Sequence, residues 1–447
     1  MGSPYFFLAL LALYGDLVKR FAPPVIALGI VYASAIYILV MIVVHDRGRT
    51  RKIVEWDAQL VNVFVFTLII TYIFQFVTSF SASIFEGLSH LFYIVVPLSY
   101  IIVVQRYWPQ FSLYKLATLF FWMMIPINTV GLIQFAIQPD FLLSTEYSGI
   151  LGGVIERNLF HSGFFERYPS LFASADRYSA MALMQFYFSC VLLTAEGSTA
   201  RRTHLWVMFN IFSSLVALGI AGARSRILIV LSVIVLIVLS QAVRAIAFPK
   251  GDMRSRAHGL RFAFLGTFGL ALGILLIALA ESEEYPILLF LQQTFREGDI
   301  QVRLLEALQL AWIPHDVSLF GEGLGTIGTG GRPGEFGIHS IWLESGLLWG
   351  SLILIGFLGI IAILTSLAFR SALKGESVQL VVRCVPVLLL LFGLLAGLSS
   401  VFELSTGILM ACAIAVAVRR SNLIRQSASM SNNKIRSPNL MRAAGSS

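Results

Sequence analysis

Two kinds of side chain in this sequence could do chemistry together: a histidine able to carry a proton, and arginines able to hold an anion. His339 stands inside a glycine-rich stretch, Gly321 to Gly350 (GEGLGTIGTGGRPGEFGIHSIWLESGLLWG), shortly before Glu344. An imidazole there can accept a proton near neutral pH or orient a hydroxyl. Arg167, Arg177, Arg224, Arg226 and Arg303 are the anion-binding candidates, with Glu306 close to the last of them. A guanidinium meets carboxylate or phosphate through two parallel N–H bonds and keeps its charge when partly dehydrated. Each arginine also has a plainer reading, as an ion-pair partner of Glu156, Glu166, Asp176 or Glu306. For any single arginine the sequence leaves both readings open.

The elements that must position these groups are apolar helices. Of 447 residues, 57% are hydrophobic and 13% charged, where a soluble protein carries roughly a quarter charged. The mean hydropathy is +0.83. Continuous apolar runs of membrane-spanning length recur, which predicts an all-α polytopic membrane protein and excludes a β-barrel, whose strands would alternate. We place twelve spans at 4–18, 25–44, 58–78, 91–104, 116–136, 178–195, 205–221, 227–243, 262–280, 341–368, 384–400 and 401–418. No cleavable signal peptide is expected, because a basic start and a small-residue cleavage site are lacking. Cys190, Cys384 and Cys412 lie inside apolar runs and read as small buried hydrophobes.

The net charge of +8 must be read by membrane side before any polyanion such as nucleic acid is invoked. One set of loops (45–57, 105–115, 196–204, 244–261, 369–383 and the tail from Arg419) holds 22 of the 32 Lys and Arg residues. That set is expected to face the cytoplasm. Both termini then lie there too. The two long loops, 137–177 and 281–340, face outward and are expected to contain short amphipathic helices. Apart from Lys19 and Arg20, the outward basic residues are all arginine: 157, 167, 177, 224, 226, 296, 303 and 332. The organisation expected is N-terminal spans over 1–136, a first outward loop over 137–177, central spans over 178–280, a second outward loop over 281–340, C-terminal spans over 341–418, and a disordered cytoplasmic tail over 419–447.

Within the first loop, arginines alternate with aromatics, and Phe160, Phe164, Phe165 and Phe172 read as an interfacial belt. The link Ala221-Gly222-Ala223-Arg224-Ser225-Arg226 is too short to leave the membrane surface. Its two arginines either snorkel or form an anion site with N–H groups of the following helix. In the second loop, Asp299, Arg303, Glu306 and Gln309 share one face of a helical period, and Val302, Leu305, Leu308 and Trp312 another. The glycines after Gly321 lack the preceding strand and the Lys-Ser/Thr of a nucleotide loop, and suit a mobile gate better.

Four of these segments, in order, resemble the bacterial O-antigen ligase and polysaccharide polymerase superfamily over roughly residues 160–400. They are Arg167-Tyr168-Pro169-Ser170-Leu171-Phe172; Gly222-Ala223-Arg224-Ser225-Arg226; the Arg303 helix followed by Leu319-Phe320-Gly321-Glu322-Gly323-Leu324-Gly325; and His339-Ser340-Ile341-Trp342-Leu343-Glu344-Ser345-Gly346-Leu347-Leu348-Trp349-Gly350. The family commonly has asparagine after the histidine, where this chain has Ser340. The resemblance implies a bacterial inner-membrane glycosyltransferase acting on undecaprenyl-diphosphate-linked oligosaccharide at the periplasmic face. Arg224 and Arg303 would hold the diphosphate as it leaves, and His339 would accept the proton of the acceptor glycan's hydroxyl. Arg167, Arg177, Arg226, Glu306 and Glu344 would line the substrate. Transfer would invert the anomeric centre without metal or other cofactor. The further partners expected are the lipid bilayer, a chain-length regulator and a flippase, with no nucleic acid.

Polymerisation is the leading expectation and ligation to lipid A core the alternative. A transporter or flippase is the rival from another class. It is disfavoured because no internal repeat and no mid-span ionisable residue is expected. A scaffold within an envelope-polysaccharide assembly would leave the outward arginines without a role.

Overall fold

A computed structural model describes residues 4–21, 24–45, 55–78, 84–108, 111–137, 160–162, 165–167, 170–172, 175–195, 201–221, 226–227, 229–235, 317–324, 326, 337–374, 376–396 and 404–419. They form helices α1 (Pro4–Phe21), α2 (Pro24–His45), α3 (Trp56–Thr78), α4 (Ile84–Tyr107), α5 (Leu113–Ala136), α6 (Ala175–Ala195), α7 (Arg201–Ile220), α8 (Gly337–Lys374), α9 (Ser377–Ala396) and α10 (Leu404–Ala417). Residues 226–227 and 229–235 are helical as well. Among the described residues, four helices are long and apolar enough to cross a membrane: Trp56–Thr78, Gly87–Tyr107, Leu113–Ala136 and Gly337–Lys374. The expected ninth span, most of both long loops and nearly all of the tail lie outside the described residues.

One departure from all-helical structure is a hairpin in the first long loop, β1 (Phe160–Ser162) against β2 (Phe165–Arg167), antiparallel with Phe160 opposite Arg167. At these residues the loop is thus extended rather than an amphipathic helix. Phe-His-Ser and Phe-Glu-Arg alternate over too few residues for a helical turn to gain a face.

Two helices form the interior. Every residue of α10 is buried, and so is every residue of α6 from Arg177 to Leu192. α10 is built largely of small residues (Ser405, Thr406, Gly407, Ala411, Cys412, Ala413, Ala415), so neighbours approach its backbone closely. It packs mainly on α4, with α9, α1 and α6 around it. Around these, α2, α3, α7 and α8 turn large apolar side chains outward, among them Tyr37, Val63, Phe66, Phe74, Phe209, Phe212 and Ile355. Such faces belong in lipid, where helix association relies on small residues and hydrogen bonds rather than on apolar burial. Gly356 and Gly359 of α8 show the first device: a Cβ there would meet Leu68 and Phe64 of α3 at 2.6 Å.

The second device joins α5, α6 and α7. Asn128 donates to Gln185 Oε1 (3.0 Å) and Ser213 Oγ (2.7 Å), and Gln185 donates to Asn210 Oδ1 (2.5 Å). Asn210 donates in turn to Ser189 Oγ (2.6 Å). Buried amides of this sort hold helices in register because each would otherwise stand unpaired in hydrocarbon.

At one end of the bundle two arginines tie helix ends together. Arg383 donates to the carbonyls of Ala417 (2.9 Å), Leu367 (3.0 Å) and Arg419 (3.1 Å), and to Ser371 Oγ. Arg419 donates to the carbonyls of Val104 (3.0 Å), Trp108 (3.0 Å) and Phe111 (3.2 Å). At the same end, Tyr5 at the start of α1 accepts from the Ser112 N–H at 2.7 Å. The start of α1 and the end of α10 therefore meet at one end. Arg383 and Arg419, counted above only as topology signals, are joints that bond main-chain carbonyls at and near helix ends. Arg383→Met leaves those carbonyls without their donor, at roughly 1–3 kcal/mol for each that water does not reach. The expected result is a thermal midpoint in detergent several degrees below wild type, while Arg370→Met, on a side chain 58% exposed, leaves it unchanged.

A broken helix at the candidate functional site

The motif carrying His339 folds as a half-helix. α8 runs from Gly337, but at Gly346 the backbone leaves the helix (φ 68°, ψ −173°) and resumes afterwards. That conformation is open only to glycine. A break exposes carbonyls above and N–H groups below, and the loop 317–324 supplies partners for both. Glu322 N–H donates to the Leu343 carbonyl (2.9 Å) and Gly323 N–H to that of Glu344 (3.0 Å). Below the break, Leu347 and Leu348 N–H donate to the carbonyls of Ser318 (3.1 Å) and Leu319 (3.0 Å). Gly321 (φ 77°) and Gly346 face each other so closely that a Cβ on either would strike the other's backbone. Non-helical backbone at membrane depth is tolerated where it is paired and enclosed in this way.

His339 lies in the first turn of this half-helix, not in the loop before it. It is partly exposed, and its Nδ1 is buried with no hydrogen-bond partner among the described residues. Ser340 beside it is buried. Glu344 is 3% exposed, and its carboxylate turns into the bundle: Oε2 lies 3.7 Å from Nε2 of His90 on α4. Gln75 of α3 donates to the Glu344 carbonyl at 3.0 Å. The Tyr72 ring stands 6.5 Å from the His90 ring. Sequence reasoning missed His90 because the fourth span was placed from residue 91, which left it in a loop, and missed Tyr72 and Gln75 because they lie within the third span and read as ordinary helix residues. α4 starts at Ile84 and carries His90 inside. Polar Ser89-His90 within an otherwise apolar run was the available signal. His90 therefore lies in the first turns of a spanning helix rather than in a loop.

Two of the arginines lie elsewhere in the bundle. Arg177 sits in the first turn of α6, and both it and Arg226 are buried, each 4% exposed. Arg226 donates to Ser179 Oγ, which brings these two arginines of the sequence reading to the start of α6. Arg226 also lines a narrow cleft with Leu183, Met184, Leu389, Phe392 and Thr406. The end of α9 connects the two regions. Leu389 and Phe392 wall the cleft, and just beyond them the Gly393 and Leu394 carbonyls lie against Gly337, two residues before His339.

Ser170, of the Arg-Tyr-Pro-Ser motif, has a structural role. It takes a positive φ of 53°. Its N–H donates to Gln134 Oε1 (2.8 Å), its carbonyl accepts from Gln134 Nε2 (3.1 Å), and its hydroxyl donates to the Ile127 carbonyl (2.5 Å). Phe172 then stacks on Tyr178 and is 1% exposed, so it is a core residue rather than part of an interfacial belt. Arg167 is in β2, with nothing described of its side chain. Arg224, Arg303 and Glu306 lie outside the described residues.

A scan of protein-family models finds none that matches this chain, and a search of curated proteins finds no match either.

Proposed function

We propose that the chain is an inverting glycosyltransferase of the bacterial inner membrane. It would move glycan from an undecaprenyl-diphosphate carrier to an acceptor sugar hydroxyl on the periplasmic side, most simply by polymerising O-antigen or exopolysaccharide repeat units. The observation that carries this reading is the clasp between two of the resembling motifs. Leu319–Gly323 and His339–Leu348, apart in sequence, pair backbone to backbone around one break, as expected if they act as a unit. The buried Arg226, bonded to Ser179 near the start of the helix that carries Arg177, with the end of α9 as a wall shared with the His339 half-helix, supports an anion site next to an acid–base group.

In this mechanism the acceptor hydroxyl oxygen attacks the anomeric carbon and gives its proton to His339. The bond from that carbon to the diphosphate oxygen breaks, and the electron pair leaves with the diphosphate. Arg224 and Arg303, assigned from the resemblance, stabilise the charge that develops there, and such preorganised donors are often the largest catalytic contribution. The excess of Lys and Arg in one loop set supports a cytoplasmic side holding both termini. The joining of α1's start to α10's end fits that arrangement.

Ligation of the glycan to lipid A core is the alternative within the same chemistry. A transporter remains as a second reading on one observation, since a discontinuous helix beside a buried ionisable pair is also how carriers build ion sites. The deciding experiment is turnover of a synthetic undecaprenyl-diphosphate oligosaccharide by the purified protein. A ladder of longer lipid-linked glycans supports polymerisation, and reaction only after a foreign acceptor is added supports ligation. No turnover with any acceptor, together with flipping in liposomes, supports the transporter. In a protein that does turn over, Arg224→Lys and Arg303→Lys should each keep less than about a tenth of wild-type activity, because a point charge lacks the bidentate fork. Near-full activity in either would remove that arginine from the diphosphate.

A further inference from the structure

The transfer chemistry leaves one buried pair of titratable groups unused. We propose that His90 and Glu344 form a proton-binding site inside the bundle, holding one proton between them and seated on the break in α8. Both side chains are enclosed, at 2% and 3% exposure, with Nε2 and Oε2 3.7 Å apart. A lone carboxylate or imidazolium costs several kcal/mol in such an interior. One shared proton leaves the pair neutral overall, as imidazolium with carboxylate or as imidazole with carboxylic acid. Removing that proton, or adding a second, leaves a net charge in the core.

The surroundings fit a proton site better than a plain structural ion pair. His90 Nδ1 and Gln75 Oε1 are buried without a hydrogen-bond partner among the described residues. The imidazole is therefore not fixed in one tautomer by a second bond, as an orienting histidine usually is. Titratable groups on the elements packed around it include Tyr72 on α3, Glu322 at the exposed edge of the clasp, and His339 in the first turn of α8, while α3 also carries Asp57, α4 Glu86, Tyr93, Tyr100, Arg106 and Tyr107, and the far end of α8 Arg370 and Lys374. On α9, the Gly393 and Leu394 carbonyls lie against that turn. The site also sits on the joint itself: the Glu344 main-chain carbonyl receives both the Gly323 N–H and the Gln75 amide. A net charge on the pair would draw water to these bonds, so proton occupancy and closure of the clasp are linked.

The test uses dicyclohexylcarbodiimide, an apolar reagent that enters bilayers and reacts with protonated carboxyl groups. The acid adds across one C=N bond, its proton passing to nitrogen and its oxygen to carbon, and the adduct rearranges to a stable acylurea. Full-length protein in liposomes is labelled over about pH 5 to 9, which brackets the ordinary histidine range. Modification of the Glu344 peptide is read by mass spectrometry, with Glu344→Gln as the background. The expected result is labelling whose pH midpoint rises by about one unit or more in His90→Gln, because the amide cannot share the proton. Labelling confined to His90→Gln supports the site equally, with the wild-type proton resting on the imidazole. An unchanged midpoint, or no labelling of Glu344 in either protein, overturns it. If His90→Gln is not recovered folded, His90→Asn takes its place. No turnover is measured, so the outcome is independent of whether the protein transfers glycan.

Discussion

Gly346→Ala should abolish the folded protein or come close to it. Two costs combine. The backbone at φ 68°, ψ −173° lies where residues with a Cβ are essentially not found, at about 1–3 kcal/mol. The added carbon would also sit on the Gly321 nitrogen and the Leu319 carbonyl oxygen, and no side-chain motion relieves a clash with main chain. Relief requires the loop 317–324 to withdraw, which unpairs the four hydrogen bonds across the break between residues 318–323 and 343–348. Buried main-chain groups left unpaired cost about 1–3 kcal/mol each. The measurement is the yield of monodisperse protein and its thermal midpoint in detergent. Gly219→Ala is the control, since a Cβ there meets nothing within 4 Å. The clasp is refuted if Gly346→Ala behaves like Gly219→Ala.

The largest functional effect is expected at His339. If the histidine takes the acceptor's proton, His339→Ala should lower turnover of the lipid-linked donor by about 10²–10⁴-fold, the usual contribution of a general base. Stability should change little, because the side chain is partly exposed and its Nδ1 bonds to nothing among the described residues. Those two outcomes separate catalysis from folding, and Gly346→Ala cannot do so. Normal product lengths from His339→Ala at normal abundance would remove the histidine from the mechanism and with it the main support for transfer.

How much of this could be read in the sequence depended on whether a feature leaves a periodic or compositional trace. Apolar runs do, so α2, α3 and α5 match the expected spans at 25–44, 58–78 and 116–136 to within about three residues, the usual boundary error. α4 was drawn too short because Ser89 and His90 look like a loop, when in fact they face the interior. α9 begins at Ser377 rather than 384, and Arg383 rides inside the helix because it caps neighbouring helix ends instead of meeting solvent. α6 is polar for a spanning helix because it is enclosed on every side, and its amides bond to α5 and α7. The break at Gly346 could not be read at all. One glycine in an apolar helix is common, and only the approach of Gly321 from another segment gives this one its conformation.

The joint between the loop and α8 is made of main-chain atoms on both sides, apart from the amide of Gln75. Those hydrogen bonds do not use the loop's exposed Leu319, Phe320 and Glu322 side chains, whereas Leu324 anchors the loop in the core at 2% exposure. Leu319, Phe320 and Glu322 are all exposed and can be exchanged without moving the half-helix they hold. The fold thus separates two demands that usually conflict: the geometry around His339 is kept constant by the backbone, while the rim beside it is free to diverge. Substitutions at this rim should therefore leave the half-helix and His339 in place.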